Sequence, residues 1–156
     1  MRILYITRAN LCLRRAHCHN ILSTAEILSN IYSVQVTIVS STHQTCSTDE
    51  IFSRHEIGPS FAFIYSRFLV GYLLLNKNKY DVVYIRDPRL ILEMIVAKLL
   101  RKKIVFEIHG NREWMGLTWL WILAHRVADV HIYITAALKN YYRASSKPSA
   151  VIMPIG

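Results

Sequence analysis

A chain of 156 residues, 53% hydrophobic and 19% charged, can bury one sizeable core, which excludes both a disordered polymer and two full α/β domains. A net charge of +9 favours anionic partners, whether phosphorylated small molecules, acidic lipid headgroups or nucleic acid. No apolar run reaches the roughly 20 residues that a bilayer crossing needs, and the nearest, from Phe61 to Leu75, is interrupted by Arg67.

The chain enters a strand pattern at once, with RILYIT at Arg2 to Thr7 and no apolar leader before it, so a cytoplasmic location is the expectation. A polar, basic loop follows at Asn10 to Arg15. Apolar residues then recur at helical spacing through Ile21, Leu22, Ala25 and Leu28, which predicts a helix from about Ala16 to Asn30. Val34 to Val39, VQVTIV, is a second strand, and its continuous apolar character suits the middle of a sheet. The segment Ser40 to Asp49 is rich in turn formers, and Phe52 to Ile57 has room for a short edge strand closed by Gly58 and Pro59. Ser60 to Leu75 is helical in length and apolar on most sides, so it should be buried on two faces or touch something greasy.

Tyr80 to Asn111 organises the rest. Asp81 to Arg86 (DVVYIR) and Lys103 to His109 (KIVFEIH) are β-branched and aromatic runs of strand length. Between them Asp87 and Pro88 suit a helix cap and first turn, and Leu90 to Leu100 is too long for a strand. A strand–helix–strand unit of this length implies parallel pairing through a right-handed crossover. Glu113 to His125 is tryptophan-rich and helical. A strand at Asp129 to Thr135, a helix at Ala136 to Arg143 and a last strand at Ala150 to Met153 complete the alternation. The expected fold class is α/β, a Rossmann-like open and mostly parallel sheet with helices on both faces.

In such sheets ligands lie beyond the carboxyl ends of the strands, which singles out Arg86 and Asp87 after one strand, and Glu107, His109, Gly110 and Asn111 at the end of the next. The five glycines at Gly58, Gly71, Gly110, Gly116 and Gly156 form no dinucleotide fingerprint, and no Walker loop follows the first strand. An ordinary NAD enzyme or nucleoside triphosphatase is thereby disfavoured. An anion would have to be met by side chains such as Arg8, Arg14 and Arg15 or by helix N-termini. Cys12, Cys18 and Cys46 are an odd set without framework spacing, as free thiols in a reducing compartment would be. Together with His17, His19 and His43 they match no common zinc spacing, so no metal is expected.

The ordered series RILYIT, AHCHNILSTAEILSN, VQVTIVS, YDVVYIRDP, KIVFEIHG, RVADVHIYITAALKNYY and AVIMPIG resembles the N-terminal, acceptor-side domain of family 4 glycosyltransferases over nearly the whole chain. Those enzymes are retaining and place two Rossmann-like domains across a cleft, the GT-B fold. The resemblance implies one half of that fold, spanning residues 1–156, with a sugar moved from a nucleotide-sugar donor to an acceptor in polysaccharide, lipopolysaccharide or glycolipid synthesis. It implies that His109 faces the transferred sugar as the catalytic residue, with Asn10, Arg14, His17, His19, Arg86, Asp87, Glu107, Gly110, Asn111 and Thr135 binding substrate.

Other readings of the same residues stay open: His109 as a core or helix-cap histidine, Glu107 as a buried partner of Arg86, Asp87 as a helix start, Thr135 as a cap. Two departures from the family pattern matter. The loop after the first strand, NLCLRRAHC, has no glycine, and no two glutamates stand eight positions apart as in the family's donor-binding half. The expectation is therefore that the C-terminal donor-binding domain, which would hold most of the nucleotide sugar, is absent, the chain being half of a two-chain enzyme, a truncated gene or an excised domain, and that the isolated half is inactive. No cofactor is expected beyond that co-substrate. The partners expected are a sugar or glycolipid acceptor, the donor-binding half and an anionic membrane on its inner face. Nucleic acid is not expected, because the basic residues are scattered and no binding motif is present. A non-catalytic Rossmann-like module that holds an anionic ligand or a partner chain is the alternative.

Overall fold

A computed structural model describes residues 1–8, 11, 16–40, 53–56, 62–109, 118–142 and 151–152. Its elements are β1 (Arg2–Ile6), α1 (Ala16–Tyr32), β2 (Gln35–Ser40), β3 (Ser53–Glu56), α2 (Ala62–Leu75), β4 (Val82–Ile85), a 3-10 turn (Pro88–Leu90), α3 (Ile91–Leu99), β5 (Lys103–Ile108), α4 (Thr118–Val127), β6 (Val130–Tyr133), α5 (Ala136–Tyr141) and β7 (Val151–Ile152). Strands and helices alternate as the periodicity predicts, with ends shifted by a residue or two. The start expected for α4 at Glu113 lies outside the described residues.

The seven strands form a single sheet in the order β3-β2-β1-β4-β5-β6-β7, and every neighbouring pair is parallel. The strand order reverses between β1 and β4, the switch point where an open α/β sheet leaves a crevice at its carboxyl edge. Ser53–Glu56, expected as an edge strand, is the outermost strand on that side and pairs with β2.

Alternation along the strands divides the core in two. Leu4, Ile6, Val83, Ile85, Ile104, Phe106 and Tyr133 pack with Leu69 and Leu73 of α2, Met94 and Ala97 of α3, and Trp121 and Ala124 of α4. Ile3, Tyr5, Val36, Ile38 and Tyr84 pack on the other face with Cys18, Ile21 and Ala25 of α1. Each helix thus buries one stripe at helical spacing, and each of these inner strands is apolar on both sides.

Local chemistry sets the element ends. Asp87 is the N-cap of the 3-10 turn, with its Oδ1 accepting from the Arg89 N–H at 2.9 Å and Pro88 in the first turn. The expected helix start is thus present, but the chain makes a 3-10 turn before α3 proper. Thr135 caps α5 by accepting from the Leu138 N–H at 3.1 Å. Ser33 and Arg101, which follow α1 and α3, lie at φ of 49° and 58°, the left-handed conformation that ends a helix.

Of the two expectations for the apolar segment, burial on two faces or contact with something greasy, the first is not met within this chain. Leu69 and Leu73 are sealed, while Phe68, Leu74 and Leu75 on its other side are exposed. No helix among the described residues is long and apolar enough to cross a membrane.

Candidate functional site

Because all strands run the same way, residues that end β4, β5 and β6 collect at one edge of the sheet, and Arg86, Asp87, His109 and Thr135 are all found there. Register then decides which of them meet. Ile85 of β4 is level with Phe106 of β5, so Arg86 comes level with Glu107, and His109, two residues on, lies on the same face. That face is the one covered by α1.

Glu107 is the centre of the cluster. Its Oε2 accepts a 2.6 Å hydrogen bond from the Tyr84 hydroxyl and a long one, 3.5 Å, from the Tyr5 hydroxyl. The two tyrosine rings stack with centroids 4.6 Å apart, which fixes both hydroxyls under the carboxylate. On the other oxygen, Oε1, Glu107 receives the His109 Nε2 and lies 3.6 Å from the Arg86 Nε. Arg86 Nη2 closes the ring of contacts at 3.2 Å from His109 Nδ1.

These partners determine the tautomer. A guanidinium can only donate, so His109 Nδ1 accepts from Arg86, and Nε2 carries the proton that it donates to Glu107. Both ring nitrogens are therefore engaged within the protein. Burial pushes the Glu107 carboxyl up, but the His109 hydrogen bond, the Arg86 charge and the Tyr84 hydroxyl together hold it below the usual glutamate value. Burial first, and the charge of Glu107 second, push both tyrosine hydroxyls well above their ordinary values, so each stays a proton donor. The side chains of Glu107 and Arg86 are 5% and 12% exposed and that of His109 27%, so the imidazole is the open member of the three. Arg86 Nη1 is buried and has no hydrogen-bond partner among the described residues.

A second cluster lies beside the switch point on the opposite face. Asp87 holds Arg89 through Nε at 2.9 Å and Nη2 at 2.7 Å, and Arg8 Nη1 lies 3.8 Å from its Oδ2. Glu93, in the first turn of α3, is fully buried; Ser66 of α2 donates to its Oε1, and its Oε2 has no partner among the described residues. Burial pushes the Glu93 carboxyl above the usual range.

Of the expected site residues, the catalytic candidate His109 and the substrate-binding candidates Arg86 and Glu107 are brought into direct contact. Asp87 and Thr135 share the edge but serve as caps, as their alternative readings had it. His19 is exposed near the start of α1, and His17 is one turn of helix or less away, though its side-chain surroundings are not described. Asn10, Arg14, Gly110 and Asn111 lie outside the described residues. The tyrosines were missed by sequence reasoning, which counts a strand tyrosine as apolar. The signal that finds them is register, since Tyr5 is level with Tyr84. A hollow of about 270 Å³ opens at the amino edge near Arg2, Gln35, Lys79 and Tyr80, and it contains none of the clustered residues.

No protein-family model matches the sequence, and no curated protein matches it. Solved structures do match the fold. UGT2 of Phytolacca americana, complexed with UDP-2-fluoro-glucose and pterostilbene, is 8% identical with a TM-score of 0.69 over 99% of this chain and 53% of its own. A UDP-GlcNAc 2-epimerase from Neisseria meningitidis bound to UDP-GlcNAc is 12% identical with a TM-score of 0.67 over 97% of this chain and 46% of its own. Anabaena HepE in complex with UDP-glucose is 14% identical with a TM-score of 0.65, over 100% of this chain and 44% of its own. The chain spans about half the length of these structures. At such identities the likeness establishes architecture alone: the chain has the Rossmann-like α/β fold of one half of a GT-B protein.

Proposed function

We propose that this chain is the acceptor-side half of a glycosyltransferase that moves a sugar from a nucleotide-sugar donor to a sugar or glycolipid acceptor. The observation that carries the reading is the Arg86–Glu107–His109 cluster at the carboxyl ends of β4 and β5, in a fold shared with structures that hold UDP or UDP-sugars. In this reading His109 faces the transferred sugar, and the carboxylate of Glu107 and the guanidinium of Arg86 fix its ring. Retention of configuration and membership of family 4 are part of the proposal and rest on the sequence resemblance. So does the assignment of the donor diphosphate to a second domain or chain, where the departing charge would be stabilised.

The non-catalytic alternative has one observation in its favour: both nitrogens of His109 are already engaged, so the imidazole meets a sugar only through its open edge or by releasing Arg86. The test uses this chain with and without a polypeptide bearing the paired glutamates of a donor half. The chain alone should transfer no sugar, and calorimetry should show no micromolar binding of UDP or GDP. Addition of the donor half should give transfer that His109→Ala lowers by about 100-fold or more, the scale of a positioned proton donor or acceptor. Micromolar nucleotide binding by the chain alone, or transfer indifferent to His109, would sink the proposal.

A further inference from the structure

The outer face of the α2–α3–α4 layer carries apolar residues where a surface helix normally carries polar ones. Each of these helices turns one stripe to the core, and on the opposite side the exposed residues again fall at spacings of three, four and seven. They are Phe68 and Leu75 on α2, Leu92, Ile95 and Leu99 on α3, and Trp119 and Ile122 on α4. Leu75 is 87% exposed, Leu99 78% and Trp119 62%. α3 packs against both of its neighbours, so the three stripes lie side by side as one surface rather than as scattered apolar residues.

Among the described residues, the charge around this surface that is not tied up in ion pairs is positive. Arg67, Lys77, Lys79, Lys98, Arg101 and Arg126 are exposed on or just beyond the three helices. The only carboxylate within the helices is Glu93, which is fully buried. Among the described residues three more stand in the connections, and all are tied to cations: Asp81 to Arg2 at 3.0 Å, Asp87 to Arg89 at 2.7 Å, and Asp129 to Lys98. All three helices run from the carboxyl edge of the sheet to its amino edge. The basic residues at their C-terminal ends therefore gather at one end of the patch, while Leu92 and Trp119 stand at the other, nearer the Glu107 cluster.

We propose that this face is a membrane-docking surface that lies on a bilayer containing acidic lipid. Apolar side chains at the level of the headgroups, with lysine and arginine around them, provide the two signals that together give stable but reversible attachment. A basic rim with no free carboxylate among the described residues complements a uniformly anionic surface, whereas a protein partner normally offers both signs of charge. Attachment through this face would be lateral, since none of the described helices is long and apolar enough to cross the membrane. The inference stands apart from the sugar-transfer reading, because its test measures binding and not activity.

The experiment is co-sedimentation of the full chain with vesicles of phosphatidylcholine, alone or mixed with phosphatidylglycerol. The expected result is binding only to the mixed vesicles, lost as salt is raised from about 0.1 M to about 1 M and the screening length falls from about 10 Å to about 3 Å. The combined Leu75→Gln, Leu99→Gln and Trp119→Gln variant, folded by circular dichroism, should bind at least about tenfold more weakly. The Lys77→Glu, Lys79→Glu and Arg101→Glu variant should behave likewise. If the triple apolar variant does not fold, Leu75→Gln alone, at the exposed end of α2, should still weaken binding measurably. Equal binding to neutral vesicles, or none to either kind, would overturn the proposal. So would a wild-type oligomer that the apolar variant splits into monomers without losing vesicle binding, since the face would then belong to a second copy.

Discussion

Two buried glutamates stand at the carboxyl edge of the sheet, one on each face, and their surroundings differ in kind. Glu107 sits among Arg86, His109, Tyr84 and Tyr5, where every neighbour can donate a hydrogen bond or positive charge, so its ionised form is favoured despite burial. Among the described residues Glu93 has one hydroxyl partner in Ser66 and one oxygen without any, so burial dominates and its carboxyl is pushed up. Equal burial thus accompanies shifts in opposite directions, downward for Glu107 among its donors and upward for Glu93 between α2 and α3.

Substitution should magnify that contrast. Glu107→Gln strips the carboxylate from a nearly buried Arg86 and should cost about 3–5 kcal/mol in denaturant unfolding, the penalty for an uncompensated buried charge. Tyr84→Phe removes the short bond to the same carboxylate and should cost about 1.5–3 kcal/mol, while Tyr5→Phe, whose bond is stretched, should cost under about 1 kcal/mol. Equal losses from the two tyrosines would mean that the carboxylate is shared evenly. Glu93→Gln should be the mildest at neutral pH, within about 1 kcal/mol, because the amide oxygen can still accept from Ser66 and no cation loses a hydrogen-bonded carboxylate there. A loss of several kcal/mol there would show that Glu93 is ionised and paired.

The pH dependence of stability should separate the two with opposite signs. The folded-state pKa of Glu107 is lowered, so its contribution is present above the ordinary glutamate value and is lost as pH falls through the lower folded value. The penalty of Glu107→Gln relative to wild type should therefore shrink in acid. Glu93 is raised, so its contribution is present below the ordinary value and is lost as pH rises through the raised one. Glu93→Gln should gain on wild type over that rise. Unfolding free energies measured from pH 3 to 8 on the three proteins check both slopes, and parallel slopes would remove the distinction.

How much of this could be read from the sequence follows the same division. The β4–α3–β5 unit was legible because strands buried on both faces are unbroken apolar runs, and because Asp87 and Pro88 mark where the chain leaves one of them. Glu107 and His109 were legible as a pair, two residues apart on one strand. Arg86 joins them only through the pairing of Ile85 with Phe106, and Tyr5 only through its pairing with Tyr84 across 79 positions, which no local pattern encodes. The Ser66–Glu93 contact depends on how two helices pack, 27 residues apart. For Asp87 the sequence allowed both a ligand and a cap, and the Arg89 N–H shows that the carboxylate caps. The exposed stripe of α2 was hidden for a further reason: a helix apolar on most sides gives no sign of which side is covered.

The charge state and tautomer of His109 test the central claim most directly, because the cluster requires Arg86 to donate to Nδ1 and Nε2–H to donate to Glu107. Nitrogen-15 spectra of the imidazole at neutral pH should show a protonated Nε2 and an unprotonated Nδ1, and Glu107→Gln should abolish that preference. An imidazolium, the opposite tautomer, or a signal unchanged by Glu107→Gln would contradict it.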